Sequence, residues 1–143
     1  MRKMDIIIAE ARLVLSARKL RQREFPDEAF RDPMWDMLVD LFINTLEGRE
    51  VSVSSLALAS GAPATTALRY ICILEQQRHL VRHPHPLDRR VTHLRLSAFT
   101  FSKLKEYFVT VHADRRCNAN LSVDPSDFKR PMVKMDTTIL DAE

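Results

Sequence analysis

The sequence predicts a mainly α-helical domain with one small β-hairpin. Only 2 of its 143 residues are glycine and 7% are aromatic, and its alanine, leucine and straight-chain charged residues favour helices over sheets. Apolar residues recur at helical spacing along most of the chain. The exception is "LVRHPHPLDRRVTHLRLS", Leu80 to Ser97, which alternates apolar and polar residues on both sides of a polar centre and so predicts two strands.

The first two predicted helices are separated by a break at Pro26. Residues 4–23 form an amphipathic helix with a broad apolar face. Asp32 and Pro33 supply an N-cap and a proline at the first position of the second helix. Gly48 is well placed to end that helix.

The segment "EVSVSSLALASGAPATTALRYICILEQQ" predicts two helices joined by a tight corner. Ser52 or Ser54 can cap the first helix, Gly61 ends it, and Pro63 opens the second. A short helix, a turn with glycine and a longer helix make a helix-turn-helix. Composition alone leaves an ordinary helical corner of a bundle as an alternative.

The last predicted helix follows the hairpin and is capped by Ser97. Its apolar residues recur every three or four positions, which indicates a seam for another helix; they are Phe101, Leu104, Phe108 and Val111. The periodicity ends after about Arg116. From Asn118 onward the chain has three basic and five acidic residues, and we predict an extended or disordered acidic tail.

Charge and cysteine content narrow the class of protein. The net charge is +3, and the positive excess is concentrated in "RKLRQR" (Arg18 to Arg23) and in the hairpin. Such clusters are either nucleic-acid surfaces or solvated faces. No apolar run reaches membrane-spanning length, and Cys72 and Cys117 form no disulfide framework. We therefore expect a reduced, cytoplasmic, nucleoid-associated protein without membrane contact.

The predicted elements follow one another in the order of a winged helix, and a hairpin directly after a helix-turn-helix favours DNA binding. From Val51 through Ser97 the chain resembles the MarR-type winged helix-turn-helix transcriptional regulators. The matching stretches are "VSVSSLALASG", "LEQQRHLVRH" and "DRRVTHLRLS", the last resembling the wing motif. With flanking helices, the resemblance covers roughly residues 4 to 115. One departure is Arg78, where the family usually has glycine.

The resemblance implies a division into four segments. Residues 1–24 and 98–116 are expected to be dimerisation helices, residues 32–97 the winged helix-turn-helix core, and residues 117–143 the acidic tail. Across the dimer the expected interface residues are Ile7, Ala11, Val14, Phe101, Leu104, Phe108 and Val111. The alternative is that these helices fold back on their own domain.

DNA contacts are expected from two elements. The recognition helix, which is the helix that Pro63 opens, should enter the major groove, and the wing, which is the hairpin, should enter the minor groove. The predicted contact residues are Ser54, Ala64, Thr65, Thr66, Arg69, Arg82, Arg89, Arg90 and Arg95. By resemblance, Arg90 enters the minor groove and Asp88 braces it. The alternatives are a packing role for Thr66, a solubilising role for Arg69 and a salt-bridged hairpin exposed to water.

The other candidate groups suggest no metal, cofactor or catalytic site. His83, His85 and His93 lack the further ligands that a zinc site needs, and we expect their protonation to strengthen DNA binding at lower pH. Cys72 is expected in the core and Cys117 at the surface.

We therefore predict a homodimeric, sequence-specific, double-stranded DNA-binding transcriptional regulator without enzymatic activity. No nucleophile–base pair, phosphate loop or carboxylate cluster stands out, and no effector can be identified. Two alternatives remain open: a winged-helix adaptor for protein contacts, and a DNA-binding accessory protein in replication or recombination.

Overall fold

The computed structural model describes residues 2–119, and its elements follow the predicted order. They are α1 (Lys3–Glu24), a 3-10 helix (Glu28–Phe30), α2 (Pro33–Leu46), β1 (Val51–Ser52), α3 (Val53–Ala59), α4 (Ala64–Gln76), β2 (Leu80–Pro84), β3 (Thr92–Leu96) and α5 (Ala98–Ala119). The predicted fold class is confirmed. Helix α5 includes residues 117–119, so it extends past the predicted start of the tail, and the rest of the tail lies outside the described residues.

Helix α2 begins and ends as the sequence predicts. The Asp32 carboxylate accepts a hydrogen bond from the Trp35 amide at 3.4 Å, and Pro33 occupies the first helical position. Gly48 follows the last turn with a φ of +72°, a conformation that glycine adopts without steric cost.

Helices α3 and α4 form the predicted corner. The Ser52 hydroxyl accepts a hydrogen bond from the Ser55 amide at 3.1 Å and so caps α3. Gly61 has a φ of +68°, and the chain bends by 111° between the two helices. That angle is typical of a helix-turn-helix.

The hairpin is extended by β1 into a three-stranded antiparallel sheet of order β1-β3-β2. Val51 pairs with Leu94, and Leu80 pairs with Leu96 at the base of the hairpin. Leu80, Leu94 and Val51 are buried. The strand β1 thus ties the wing to the start of α3.

Arg78 provides the bend between α4 and β2. Its φ is +63°, so an arginine holds the left-handed conformation that glycine usually takes. The Arg78 amide donates to the Glu75 carbonyl at 3.0 Å, and the His79 amide donates to the Leu74 carbonyl at 2.8 Å. This pair of bonds is the Schellman motif, which satisfies the last carbonyls of the helix.

Two apolar clusters hold the described chain together. One lies within the winged helix, and its buried members are Met37, Leu41, Val51, Leu56, Ala67, Ile71, Leu74, Leu80 and Leu94. The other joins α1, α2 and α5, and its buried members are Ile7, Ala11, Val39, Phe42, Ile43, Leu104 and Phe108. Since α2 contributes to both, it connects the flanking helices to the winged helix.

No single helix within residues 2–119 is both long enough and apolar enough to span a membrane. Helices α3 and α4 have sufficient length and apolar content only when they are taken together, across their 111° bend.

Candidate nucleic-acid interface

The first turns of α4 present several of the predicted contact residues to solvent. Ala64, Thr65 and Arg69 are exposed, and the Arg69 guanidinium lies 6.0 Å from the centre of the Tyr70 ring. Thr66 is half-buried and lines a cleft of about 190 Å³ together with Tyr70. Thr66 therefore has part of the packing role that was its alternative, whereas the other three side chains are open to a ligand.

Ser54 belongs to the cap of α3 as well as to the exposed surface. Its hydroxyl oxygen lies 3.3 Å from the hydroxyl oxygen of Ser52, and its side chain is at the surface beside the turn. It is placed to offer a hydroxyl to a phosphate near the start of α3.

The wing tip brings Asp88 and Arg90 together. The Asp88 carboxylate accepts a hydrogen bond from the Arg90 amide at 3.0 Å and another from Arg90 Nε at 3.2 Å. These two bonds hold the pKa of the Asp88 carboxyl below its usual value, and the bond from the Arg90 amide has the larger effect. The Arg90 side chain is nevertheless 91% exposed, so the carboxylate orients the guanidinium without burying it.

The arginines on the strands of the wing are already paired within the chain. Arg82 forms an ion pair with Glu75 of α4. Arg95 donates to Glu50 at 2.8 Å, and this hydrogen bond is the main cause that lowers the pKa of the Glu50 carboxyl. Both guanidiniums are half-exposed. A phosphate contact by either one has to compete with a carboxylate, in contrast to the exposed Arg89.

Two further side chains at the wing tip have roles that the sequence did not predict. Leu87 is 91% exposed, which places an apolar side chain beside the arginines. His85 Nδ1 accepts hydrogen bonds from the Leu87 and Asp88 amides, both at 3.1 Å. The alternation of the strands gives no signal for either role, because the tip lies between the periodic segments.

Arg31 is a third such residue, and it lies at the helix-turn-helix corner. Its Nη1 donates to the Gly61 carbonyl at 3.3 Å. Its Nε is buried and has no hydrogen-bond partner among residues 2–119. Arg31 precedes the cap of α2 in the sequence, where no pattern marks it as a partner of the turn.

The wing histidines lie close together but form no metal centre. The His85 and His93 rings are 5.3 Å apart in an edge-on arrangement, and His93 lies 3.7 Å from the Glu50 carboxylate. In the part of the chain that the structure describes, no group of three or more histidine, cysteine or acidic residues is arranged for a metal ion.

The prediction that Cys72 lies in the core is wrong. Cys72 and Cys117 are both exposed. The neighbouring Ile71 takes the buried position, and one further residue along a helix rotates the side chain by about 100°, onto the outer face of α4.

The predicted dimer seam lies inside the single chain. Ile7, Ala11, Leu104 and Phe108 are buried in the cluster of α1, α2 and α5, with Val14 and Phe101 packed against it. Val111 is half-buried on α5. The physical reason is that α1 and α5 pack against each other and against α2, so the four buried side chains are covered within the chain, whereas Val14, Phe101 and Val111 keep part of their surface exposed.

The basic cluster "RKLRQR" is only partly free. Arg18 forms an ion pair with Asp36 of α2, and its side chain is 13% exposed. Burial raises the pKa of the Asp36 carboxyl even though Arg18 opposes the shift. At least one arginine of the cluster therefore joins α1 to the winged helix.

The order of the helices and strands defines a winged-helix domain. Its fold is similar to that of several solved structures. MepR, described as a transcription regulator of the Staphylococcus aureus multidrug efflux pump MepA, aligns with a TM-score of 0.52 at 14% identity over 82% of this chain and 84% of MepR. A S. aureus MepR–DNA complex aligns with a TM-score of 0.50 at 18% identity over 72% and 82%. MepR bound to ethidium bromide aligns with a TM-score of 0.51 at 14% identity over 82% of each chain.

MepR is a MarR-family transcriptional regulator, so the resemblance seen in the sequence is confirmed at the level of the fold. No protein-family model matches the chain, and no curated protein sequence matches it.

Proposed function

We propose that the chain is a homodimeric transcriptional regulator that binds specific sites in double-stranded DNA. The observation that carries this proposal is the wing tip, where Asp88 orients the exposed guanidinium of Arg90. The first turns of α4 are exposed as well. The fold of MepR, which has been solved in complex with DNA, supports the same function. Such a regulator acts in the cytoplasm at the nucleoid and needs no catalytic group.

The two contact elements read DNA in different ways. The first turns of α4 enter the major groove, where Thr65 contacts a phosphate or a thymine methyl group and Arg69 contacts guanine or a phosphate. Arg90 enters the minor groove, where a narrow groove strengthens the negative potential that attracts a guanidinium. The remaining contact residues of the proposal, Ser54, Ala64, Thr66, Arg82, Arg89 and Arg95, position the protein on the backbone or fill the interface.

The dimer in this proposal uses the outer face of α1 instead of the buried seam. Apolar residues recur there at spacings of three or four, and they are Ile6, Ala9, Leu13, Ala17 and Leu20. Leu13 and Leu20 are 50% and 53% exposed. Such a stripe is a coiled-coil seam that residues 2–119 leave uncovered, and pairing with a second α1 about a two-fold axis covers it.

DNA binding is tested with labelled duplexes selected from a random library, by fluorescence anisotropy over a range of salt concentrations. Arg69→Ala and Arg90→Ala are each expected to weaken binding about 5- to 150-fold, which corresponds to about 1–3 kcal/mol for a good base contact. Lys103→Ala on α5 is the control, because it removes one exposed positive charge away from the interface. Unchanged affinity in both arginine variants, with folding intact, would refute the proposal.

The same measurement separates the alternatives. Affinity that follows total charge, with no site enriched in the selection, would favour an accessory protein of replication or recombination. Absence of duplex binding would favour the protein adaptor.

The dimer is tested by light scattering. Leu13→Glu on the outer stripe is expected to yield monomers, whereas Ser102→Glu adds the same charge at an exposed position of α5 and is expected to leave the dimer intact. Equal size of the Leu13 variant and the unchanged protein would count against this interface.

A further inference from the structure

The tip of the wing is closed by a side chain instead of a tight glycine turn. The connection from His85 to Val91 has no glycine. The His85 amide donates to the Val91 carbonyl at 3.0 Å, and the Val91 amide donates to the Asp88 carbonyl at 3.1 Å. Between these bonds the Leu87 and Asp88 amides point inward, and His85 Nδ1 accepts from both at 3.1 Å.

We infer that His85 is the positioning residue of the wing, and that a proton added at its Nδ1 releases the tip and weakens DNA binding. This inference rests on the proposed function. His85 fixes the Asp88 backbone, and Asp88 in turn holds the amide and the guanidinium of Arg90. The imidazole thus acts on DNA through two other residues and without a contact of its own.

The hydrogen-bond geometry fixes the sign of the pH effect. An imidazole nitrogen that accepts a hydrogen bond carries no proton, so the folded tip requires the tautomer with its proton on Nε2. Protonation at Nδ1 replaces the acceptor by a donor that faces two N–H groups. The closed tip is therefore present while Nδ1 is unprotonated, at higher pH, and is lost when acid adds a proton there.

The groups around His85 make the effect specific to one imidazole. Asp88 on the same loop and the His93 ring of β3, 5.3 Å away, face it directly. Behind them, His83 of β2 pairs with His93 across the strands, and Glu50 lies 3.7 Å from His93. Protonation of His83 or His93 adds positive charge to the wing without removing an acceptor from the tip.

This sign is opposite to the expectation from the sequence alone. A histidine considered only as a charge strengthens DNA binding when it is protonated. His85 weakens it, because the lost acceptor loosens Asp88 and Arg90. The structure therefore separates His85 from the other two wing histidines by the direction of their pH effects.

Three variants of His85 test the inference in the full-length protein. Asparagine places an amide oxygen close to the position of Nδ1 and cannot titrate, glutamine places its oxygen farther out, and alanine removes the acceptor. At about pH 8, His85→Asn is expected to keep the affinity of the unchanged protein within about twofold, whereas His85→Ala and His85→Gln weaken binding about three- to tenfold, as expected for lost net hydrogen bonds. Arg90→Ala serves as the reference for complete loss of the guanidinium that enters the minor groove.

The pH profile is the readout that a purely structural role does not move. As the pH is lowered from about 8, the affinity of the unchanged protein should fall relative to that of His85→Asn, which cannot take up the proton. Equal affinities of His85→Ala and the unchanged protein, while Arg90→Ala weakens binding, would overturn the inference and leave the proposed function standing. Equal pH profiles of His85→Asn and the unchanged protein would overturn the switch.

A measurement without DNA separates this inference from the proposed function. The ¹⁵N chemical shift of His85 Nδ1 should be that of an unprotonated acceptor near neutral pH, and the Leu87 and Asp88 amides should exchange faster in His85→Ala than in His85→Asn. A protonated Nδ1 in the neutral ring would overturn the inference even in a protein that binds DNA. The predicted NMR pattern in a protein without duplex affinity would overturn only the proposed function.

Discussion

Replacing Arg78 with glycine is expected to stabilise the protein, because the backbone here has a conformation that suits glycine. The φ of Arg78 is +63°, and the left-handed conformation costs a residue with a Cβ roughly 1–2 kcal/mol. Glycine has more freedom to lose on folding, which offsets roughly 0.4–1 kcal/mol of that gain. The free energy of unfolding of Arg78→Gly should therefore exceed that of Arg78→Ala by about 1 kcal/mol.

Alanine is the matched control because both variants remove the guanidinium. A positive charge near the end of α4 interacts with the helix dipole, which contributes roughly 0.3–1 kcal/mol, and this contribution is absent from both variants. The main-chain bonds from Arg78 to Glu75 and from His79 to Leu74 can form in both as well. The remaining difference between the variants is the conformational cost at one residue.

The assay is urea denaturation followed by the fluorescence of Trp35, the only tryptophan of the chain. Trp35 packs edge-on against Tyr107 of α5 with 5.2 Å between ring centres, so its emission reports the packing of α2 on α5. The midpoint should rise in Arg78→Gly relative to Arg78→Ala, with an unchanged slope. Equal midpoints would refute the reasoning, because they would show that the left-handed conformation carries no cost here.

Two other substitutions test the core and its charges. Leu104→Ala should lower the free energy of unfolding by about 2–5 kcal/mol, as expected for a buried leucine, and a change of oligomeric state at full stability would contradict the placement of Leu104 in the core. Asp40→Asn should raise stability at neutral pH, because burial raises the pKa of the Asp40 carboxyl although Lys19 and Arg49 oppose the shift. A carboxyl whose folded pKa is raised destabilises the folded state above that pKa, so the gain should disappear in acid, below the ordinary value of 3.8. If Asp40→Asn remained more stable than the unchanged protein in acid, the gain would come from packing and not from the charge.

The sequence predicts the local signals of this fold well and the partners of its apolar faces poorly. Asp32 with Pro33 starts α2, and Gly48 and Gly61 end helices at positive φ, because caps and turns depend on chemistry within a few residues. The spacing of Asp88 and Arg90 likewise specifies a bond within one loop. Such features need no knowledge of the rest of the chain.

The dimer seam shows where that reasoning stops. Apolar residues at helical spacing show that one face of α5 is covered, but a pattern of this kind is the same whether the cover comes from the same chain or from another. The structure covers Leu104 and Phe108 with α1 and α2. The stripe with Leu13 and Leu20 on α1, which remains exposed, was hidden in the sequence by the breadth of the apolar face of that helix.

The wing tip shows a second limit, because a side chain that accepts from the backbone can be recognised only once the turn is known. Of the three wing histidines only His85 lies between two prolines, but this position does not mark it as an acceptor. The prolines on either side fix their own φ, but they do not determine where the Leu87 and Asp88 amides point. The direction of those amides makes His85 an acceptor.

The two halves of the candidate interface are therefore stabilised by different forces. The helix-turn-helix has its glycine corner at Gly61 and the buried side chains of Leu56 and Ile71, none of which carries a titratable group. The wing tip depends on hydrogen bonds accepted by two titratable side chains, His85 and Asp88, and a proton on His85 Nδ1 removes the first of them. Acidification should consequently lower the protection factors of the wing-tip amides, which compare their exchange rates with the intrinsic rates at the same pH, while the protection factor of the Ile71 amide stays constant. A parallel fall at both places would indicate global unfolding instead of a local release of the wing.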